Sequence, residues 1–152
     1  MIGTLARKSR AALDVAIAAL AVRRSRQRVA KRPIGSLVVV GRSDVVVPDT
    51  IATDGNHSRL APDARKCADR WGAATDRALR WMPGDAACLV RAGALHELVR
   101  QRGLPRAVVR IGVRRGPDGF EAHAWVEQDG MPIAEPVALR GAFSSLDGVT
   151  LE

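Results

Sequence analysis

Hydrophobic positions recur every three to four residues near the N-terminus, which predicts an amphipathic helix. Its apolar stripe consists of Leu5, Leu13, Ile17 and Leu20. Basic residues occupy much of the remaining surface of this helix. We therefore expect the apolar stripe to pack on a partner surface, with a membrane surface as the alternative.

Two further segments carry the same helical period and follow one another closely. Residues 62–82 place alanine, cysteine, tryptophan and leucine side chains on one face, and Pro83-Gly84 ends the pattern. Residues 86–102 come next, with Asp85 as a good N-cap and a glycine after the last turn. We expect two consecutive helices here.

After residue 105 the period changes to two, which predicts β-strands. The strand segments are RAVVRIGV, FEAHAWVE and MPIAE, and the sequences between them, RRGPDG and QDG, are typical of turns. An antiparallel meander that follows helices is an α+β pattern. We therefore expect a helix packed on an antiparallel sheet.

The region between the first two predicted helices has a different character. Residues 36–48, SLVVVGRSDVVVP, contain two short β-branched runs around a turn, which predicts a β-hairpin. The polar, turn-rich sequence that follows is typical of a linker. We therefore divide the chain into an N-terminal arm, residues 1–55, and a domain, residues 56–152.

The distribution of charge agrees with this division. Residues 1–32 carry nine of the 24 lysines and arginines, with Asp14 as their one acidic residue, while the other 120 residues carry 15 basic and 15 acidic groups. The formal net charge of +8 therefore belongs to the arm. Anionic lipid and acidic peptide are possible partners for it. No stacking platform or nucleic-acid motif accompanies the charge, so we expect no nucleic-acid partner.

The chain has two cysteines, Cys67 and Cys88, without the spacing of a zinc site or a redox pair. We expect no metal and no cofactor. Cys88 falls in the first turn of its predicted helix, where unpaired N–H groups and the helix dipole favour a thiolate. The alternative is that Cys88 is a small buried apolar residue. Cys67 falls in the middle of a helix, and we expect it to be structural.

A nucleophilic cysteine needs a base, and the chain offers three histidines. His96 follows Cys88 by eight residues on the same helix, about 12 Å along its axis, which is too far for direct proton transfer. His57 falls in the predicted linker and cannot be positioned from the sequence. His123 lies on a predicted strand that could face the helix, so it is the best candidate.

Two acids, Glu135 and Asp129, compete as the group that orients His123. A three-residue turn at residues 128–130 pairs His123 with Glu135 on one face of the sheet. A two-residue turn pairs Ala124 with Glu135 instead and turns the carboxylate to the other face. We expect the three-residue turn and Glu135, with Asp129 as the alternative.

The segments PGDAACLVRAGALHELVRQRGLP, RIGVRR and FEAHAWVEQDGMPIAEP resemble the transglutaminase-like leader peptidases of lasso-peptide biosynthesis. These are the B proteins, in the split form without a fused recognition domain. The match covers about residues 62–143. The resemblance implies a papain-like or transglutaminase-like core in which Cys88 is the nucleophile and His123 the general base. Glu135 takes the place where the family usually has aspartate.

The resemblance also implies partners: a precursor with its leader peptide, a small leader-recognition protein, and an asparagine-synthetase-like cyclase that closes the ring in ATP-linked maturation. Two other functions stay open, a transglutaminase-like acyltransferase and a binding protein that uses its basic arm. Asp14 interrupts the N-terminal apolar stretch, and arginines stand where a signal peptide would be cleaved. We expect a cytoplasmic protein, with membrane association through residues 1–32 as an open alternative.

Overall fold

The computed structural model describes residues 2–31, 39–40, 60–84, 88–136, 142–145 and 149–150. These ranges contain three helices, which are α1 (Ile2–Lys31), α2 (Pro62–Trp81) and α3 (Cys88–Arg100). They also contain six strands, which are β1 (Val39–Val40), β2 (Val108–Gly116), β3 (Gly119–Gln128), β4 (Met131–Ile133), β5 (Ser144–Ser145) and β6 (Val149–Thr150). The fold is α+β, as the sequence predicts.

Helix α2 begins and ends where its sequence signals are. Pro62 occupies the first turn, where a missing N–H costs nothing, and the acidic side chain of Asp63 complements the helix dipole. The helix ends at Trp81, just before Pro83. Its buried face includes Trp71, which is 4% exposed. The predicted helix over residues 62–82 is confirmed to within one residue.

Helix α3 is a core helix rather than a surface helix. Leu95, Leu98 and Val99 are almost completely buried, and α3 packs against both long helices and against β3. The predicted helix extends from residue 86 to 102, whereas the observed helix is shorter at its C-terminal end. The predicted N-cap, Asp85, lies outside the described residues.

Helix α1 forms as predicted, and it packs in the protein's own core through a face other than the predicted leucine stripe. Leu13 and Leu20 of the predicted stripe are 59% and 56% exposed, whereas Ala18, Ala21 and Val22 are fully buried. Small side chains let α1 approach α2 and α3 closely, so α1 packs in the core through its alanine face and not through its leucine face.

A buried ion pair strengthens the same contact between α1 and α2. Asp14 is 7% exposed and accepts hydrogen bonds from Arg70 at 2.7 and 2.5 Å. The hydrogen bond from Arg70 lowers the pKa of Asp14. The acidic residue that interrupts the apolar stretch of α1 is therefore a packing contact with α2. None of the helices in the described ranges is long and apolar enough to span a bilayer.

Four strands form the main sheet, in the order β4-β3-β2-β5, with antiparallel pairing throughout. The cross-strand pairs Val109–Val126 and Ile111–Ala124 lie on the face that packs against the helices. Since side chains alternate along a strand, His123 lies on the other face of β3. The predicted meander is confirmed, and β5 adds an edge strand that the sequence pattern did not indicate.

The predicted hairpin at residues 36–48 is only partly within the described ranges. Val39–Val40 forms β1, which pairs antiparallel with β6 near the C-terminus. The second run of the predicted hairpin and the predicted boundary at residue 55 lie outside the described residues. Helix α1 shares one hydrophobic core with α2, α3 and the sheet.

The turn between β3 and β4 differs from the prediction. Gln128 pairs with Met131, so the turn has two residues, Asp129 and Gly130, and not three. Both have positive φ, at 53° and 74°, as the hairpin turn of type I′ requires. The expected three-residue turn, and the His123–Glu135 pairing derived from it, are therefore wrong as statements of strand register.

Candidate functional site

His123 and Glu135 are in contact even though the register does not pair them. The His123 Nε2 atom lies 3.1 Å from Glu135 Oε2, within hydrogen-bonding distance. The Glu135 side chain is 3% exposed and that of His123 is 17% exposed. A carboxylate only accepts hydrogen bonds, so the ring nitrogen donates. In the neutral ring the proton is then on Nε2 and the free lone pair is on Nδ1.

The backbone at Ala134 explains how Glu135 reaches the histidine. Strand β4 ends at Ile133, and Ala134 has a φ of 53°, in the left-handed region that non-glycine residues seldom adopt. This conformation ends the alternation of the strand, so the side-chain direction of Glu135 is no longer set by the register. The carboxylate therefore turns toward His123.

Helix α2 accommodates this bend through a glycine. A Cβ atom built on Gly72 would collide with the Cβ of Ala134. Gly72 is itself buried in the middle of α2. Glycine inside a helix normally makes the helix less stable than alanine would. The close approach of the chain before Glu135 explains why glycine is present here.

Arg91 connects the acid to the helix that carries the cysteine. Its Nη1 donates to Glu135 Oε1 at 2.5 Å, and its Nη2 donates to the carbonyl oxygen of Ala134 at 2.7 Å. On its other side, Nε donates to Asp76 Oδ1 at 2.7 Å. Burial opposes the charge of the guanidinium, but Asp76 and Glu135 outweigh burial and raise the pKa of Arg91.

Cys88 is the first residue of α3 and is half-buried. It lies one helical turn before Arg91, and residues at this spacing share a helix face. Glu135 is thus joined to His123 on one side and, through Arg91, to the helix start on the other. No hydrogen bond joins the Cys88 thiol to His123. The structure brings His123 and Glu135 into direct contact, and the Cys88 thiol is hydrogen-bonded to neither of them.

Aromatic rings hold the imidazole in place. The ring of Trp125 is stacked near that of His123, with centroids 6.1 Å apart, and the ring of Phe143 lies 5.1 Å away on a tilted plane. The Trp125 indole N–H donates to Glu127 at 2.7 Å. The alternating His-Trp-Glu pattern of β3 is therefore a row of interacting side chains on one face of the sheet.

Asp129, the alternative acid, is in a different position. It is exposed at the turn, and its carboxylate accepts hydrogen bonds from Gln128 at 2.8 Å and Arg106 at 3.0 Å. The hydrogen bond from Gln128 contributes most to lowering the pKa of Asp129, and Arg106 adds to it. Asp129 does not contact His123.

The other cysteine and histidine that the sequence offered make contacts that fit a structural role. The Cys67 thiol donates to the carbonyl oxygen of Arg102 at 3.1 Å, and burial raises its pKa. His96 Nε2 lies 3.0 Å from the carbonyl oxygen of Ala107, and burial lowers the pKa of its ring. His57 lies outside the described residues.

Sequence reasoning did not assign a role to Arg91. One signal was available, since an arginine one turn after Cys88 interrupts a helix that is otherwise apolar on most sides. Within the described ranges, no group of three or more histidine, cysteine, aspartate or glutamate side chains is arranged to hold a metal ion.

A cysteine at the start of a helix packed on an antiparallel sheet, with a histidine–acid pair on the sheet, is the arrangement of papain-like and transglutaminase-like proteins. A family model described as the transglutaminase-like superfamily matches residues 36–147. The chain belongs to the transglutaminase-like superfamily, which includes cysteine peptidases and acyltransferases. No curated protein and no solved structure matches the chain significantly.

Proposed function

We propose that this protein is a cysteine peptidase that removes the leader from a lasso-peptide precursor, as the split B proteins do. Cys88 is the nucleophile, His123 the general base, and Glu135 the acid that orients the histidine. The observation that supports this assignment most is the 3.1 Å hydrogen bond between His123 and a buried Glu135. The Cys-Leu-x-Arg-Ala and His-Ala-Trp-Val-Glu elements support the choice of peptide substrate.

The first half of the reaction forms a thioester. Because Glu135 accepts a hydrogen bond from the Nε2–H of His123, the lone pair on Nδ1 is free to take the proton of the Cys88 thiol. The thiolate attacks the carbonyl carbon of the last leader residue. Unpaired backbone N–H groups in the first turn of α3 stabilise the oxyanion that forms.

The second half releases both products. The protonated His123 donates its proton to the leaving nitrogen, and the core peptide departs with a free amino terminus. The leader remains on Cys88 as a thioester. His123 then removes a proton from water, the resulting hydroxide attacks the thioester, and the leader departs with a free carboxylate while the thiol is restored.

The partners in this proposal come from the resemblance. A small recognition protein presents the leader, and an asparagine-synthetase-like cyclase uses ATP to close the ring on the released core. Water as acceptor distinguishes this peptidase from an acyltransferase, in which an amine would attack the same thioester.

Mass spectrometry of a precursor incubated with this protein and its recognition partner tests the proposal. We expect a leader fragment with a free carboxylate and a core fragment with a free amino terminus, and neither product with Cys88→Ala. Adding a primary amine should not change the leader mass. A leader fragment joined to that amine would instead identify an acyltransferase, and an intact precursor would refute both activities.

A further inference from the structure

Arg91 lies between two acids and contacts the backbone that carries one of them. We propose that Arg91 is a positioning residue, which holds one carboxylate oxygen of Glu135 so that the other oxygen faces His123. The consequence of this positioning for catalysis rests on the proposed function, whereas the effect of Arg91 on the orientation of His123 does not.

The two oxygens of Glu135 are divided between two partners. Oε1 accepts from Arg91 at 2.5 Å, and Oε2 lies 3.1 Å from His123. A glutamate side chain has three rotatable bonds, and one hydrogen bond to a ring leaves much of that freedom in place. A second, charge-assisted hydrogen bond on the opposite oxygen restricts the rotation of the carboxylate.

Arg91 can act in this way because it is fixed itself. Its Nε and Nη2 atoms both donate to the carboxylate of Asp76 on α2, at 2.7 and 3.3 Å, which sets the plane of the guanidinium. Nη2 also donates to Ala134, the residue whose left-handed backbone directs Glu135. One planar group thus holds both the backbone before the acid and the acid.

Lysine cannot reproduce this arrangement, although it keeps the positive charge. An ammonium group is a point charge on a flexible chain and does not offer a planar fork to three acceptors. With lysine at position 91, we expect Glu135 to rotate and the His123 ring to adopt a mixture of orientations and tautomers. Cys88 should then react more slowly with alkylating reagents at neutral pH, because the ring no longer presents its Nδ1 lone pair consistently.

The first test measures the tautomer of His123 directly. Nitrogen-15 NMR of the imidazole should show a proton on Nε2 in the wild-type protein at pH 7.5, and mixed tautomers in Arg91→Lys. Arg70→Lys is the matched control, since Arg70 makes a comparable two-bond contact with Asp14 and does not touch His123. A wild-type tautomer pattern in Arg91→Lys would overturn the inference.

The second test measures the alkylation of Cys88 as a function of pH, by peptide mapping. Arg91→Lys should lower the rate at pH 7 by about tenfold, while Arg70→Lys leaves it unchanged. An unchanged alkylation rate in Arg91→Lys, together with a lowered melting temperature, would mean that Arg91 only stabilises the fold.

Asp76→Ala keeps the inference testable if Arg91→Lys does not fold. It removes the support of Arg91 on the α2 side and leaves Arg91 and Glu135 in place. We expect changes in tautomer and alkylation in the same direction and of smaller size. An unaltered His123 in folded Asp76→Ala would then count against the inference.

The two proposals can fail separately. If Cys88→Ala still cleaves the precursor, the proposed function is wrong, but a tautomer change in Arg91→Lys would still establish Arg91 as the residue that positions the histidine–acid pair. If Cys88→Ala is inactive and the tautomer is unchanged, the function stands and the role of Arg91 is structural.

Discussion

The two cysteines differ in their surroundings, and this difference predicts how each will react. Cys67 donates a hydrogen bond to Arg102, and burial raises the pKa of its thiol, so it is a poor nucleophile at neutral pH. Cys88 begins a helix and is half-buried. We expect iodoacetamide at pH 7 to modify Cys88 before Cys67, as measured by peptide mapping.

Substitution provides the matched control for this prediction. Cys88→Ala should abolish leader cleavage, and Cys67→Ala should retain it. Loss of cleavage in Cys67→Ala, together with an active Cys88→Ala, would show that Cys67 and not Cys88 is the nucleophile.

At the scale of elements, the packing of α2 against the end of β4 determines where the acid lies. Alanine in place of a helical glycine normally stabilises a protein by about 1 kcal/mol. Gly72→Ala should instead destabilise the protein, because the new Cβ would collide with the Cβ of Ala134, which is attached directly to the backbone and cannot rotate away. We expect a lower melting temperature and slower leader cleavage.

Gly93→Ala is the control for Gly72→Ala, since both are glycines within helices. A Cβ at Gly93 meets the Oγ atom of Ser25, a side chain that can rotate away. Gly93→Ala should therefore leave cleavage close to wild type. If Gly72→Ala is as stable and as active as Gly93→Ala, the close approach does not determine the position of Glu135.

The contact between α3 and the start of the sheet predicts a pH dependence of stability. Burial lowers the pKa of His96 from its usual 6.5, and its neutral ring donates to Ala107. Below about pH 6.5 the unfolded chain binds a proton that folded His96 does not, so the free energy of unfolding falls as the pH falls. We expect the melting temperature to decrease from pH 7.5 to 5.5, and to decrease less in His96→Gln.

His123→Ala separates this effect from the titration of the candidate site. Because His96 is intact in that variant, the decrease between pH 7.5 and 5.5 should persist. An identical pH dependence in His96→Gln and wild type would show that His96 is not responsible.

The elements were more predictable from the sequence than the contacts between them. The bounds of α2 and the order of the strands follow from local periodicity and from proline and glycine signals. The turn at Asp129-Gly130 was predicted wrongly, and the packing of the alanine face of α1 into the protein's own core was not predicted. In both cases two patterns were locally acceptable, and only tertiary packing selects between them.

The candidate site was only partly predictable, because its geometry also depends on tertiary packing. Glu135 was chosen through a register that the protein does not have, and it reaches His123 through the left-handed backbone of Ala134. An alanine gives no sequence signal for that conformation. Arg91 acts between α2, α3 and the chain after β4, a combination that no local pattern reveals.

At the scale of the whole molecule, α1 is both part of the core and the most basic part of the chain. Deletion of residues 1–32 would remove buried Ala18 and Val22, so it would test folding rather than docking. Exposed charges provide a cleaner test of the prediction that this region docks on a partner or an anionic membrane. The basic residues to be changed to glutamine are Arg10, Arg23 and Lys31, all of them exposed.

We expect this triple variant to bind anionic vesicles or the recognition protein more weakly at low salt, with the difference disappearing as salt is added. For a membrane, each basic residue near the surface contributes about 1 kcal/mol. The matched control changes three exposed arginines of α2, Arg65, Arg77 and Arg80, and should bind like wild type. Unchanged binding of the α1 variant to both vesicles and partner at low salt would refute the docking role.

The most direct test of the account compares Glu135→Gln with Asp129→Asn in a time course of leader cleavage. Glu135→Gln keeps the size of the side chain but removes the charge that orients His123, so the rate should fall by orders of magnitude, up to about 10⁴-fold. Asp129→Asn should cost little, since asparagine also tolerates the positive φ of this turn. Wild-type activity in Glu135→Gln, together with loss of activity in Asp129→Asn, would contradict the assignment of Cys88, His123 and Glu135 as one catalytic unit.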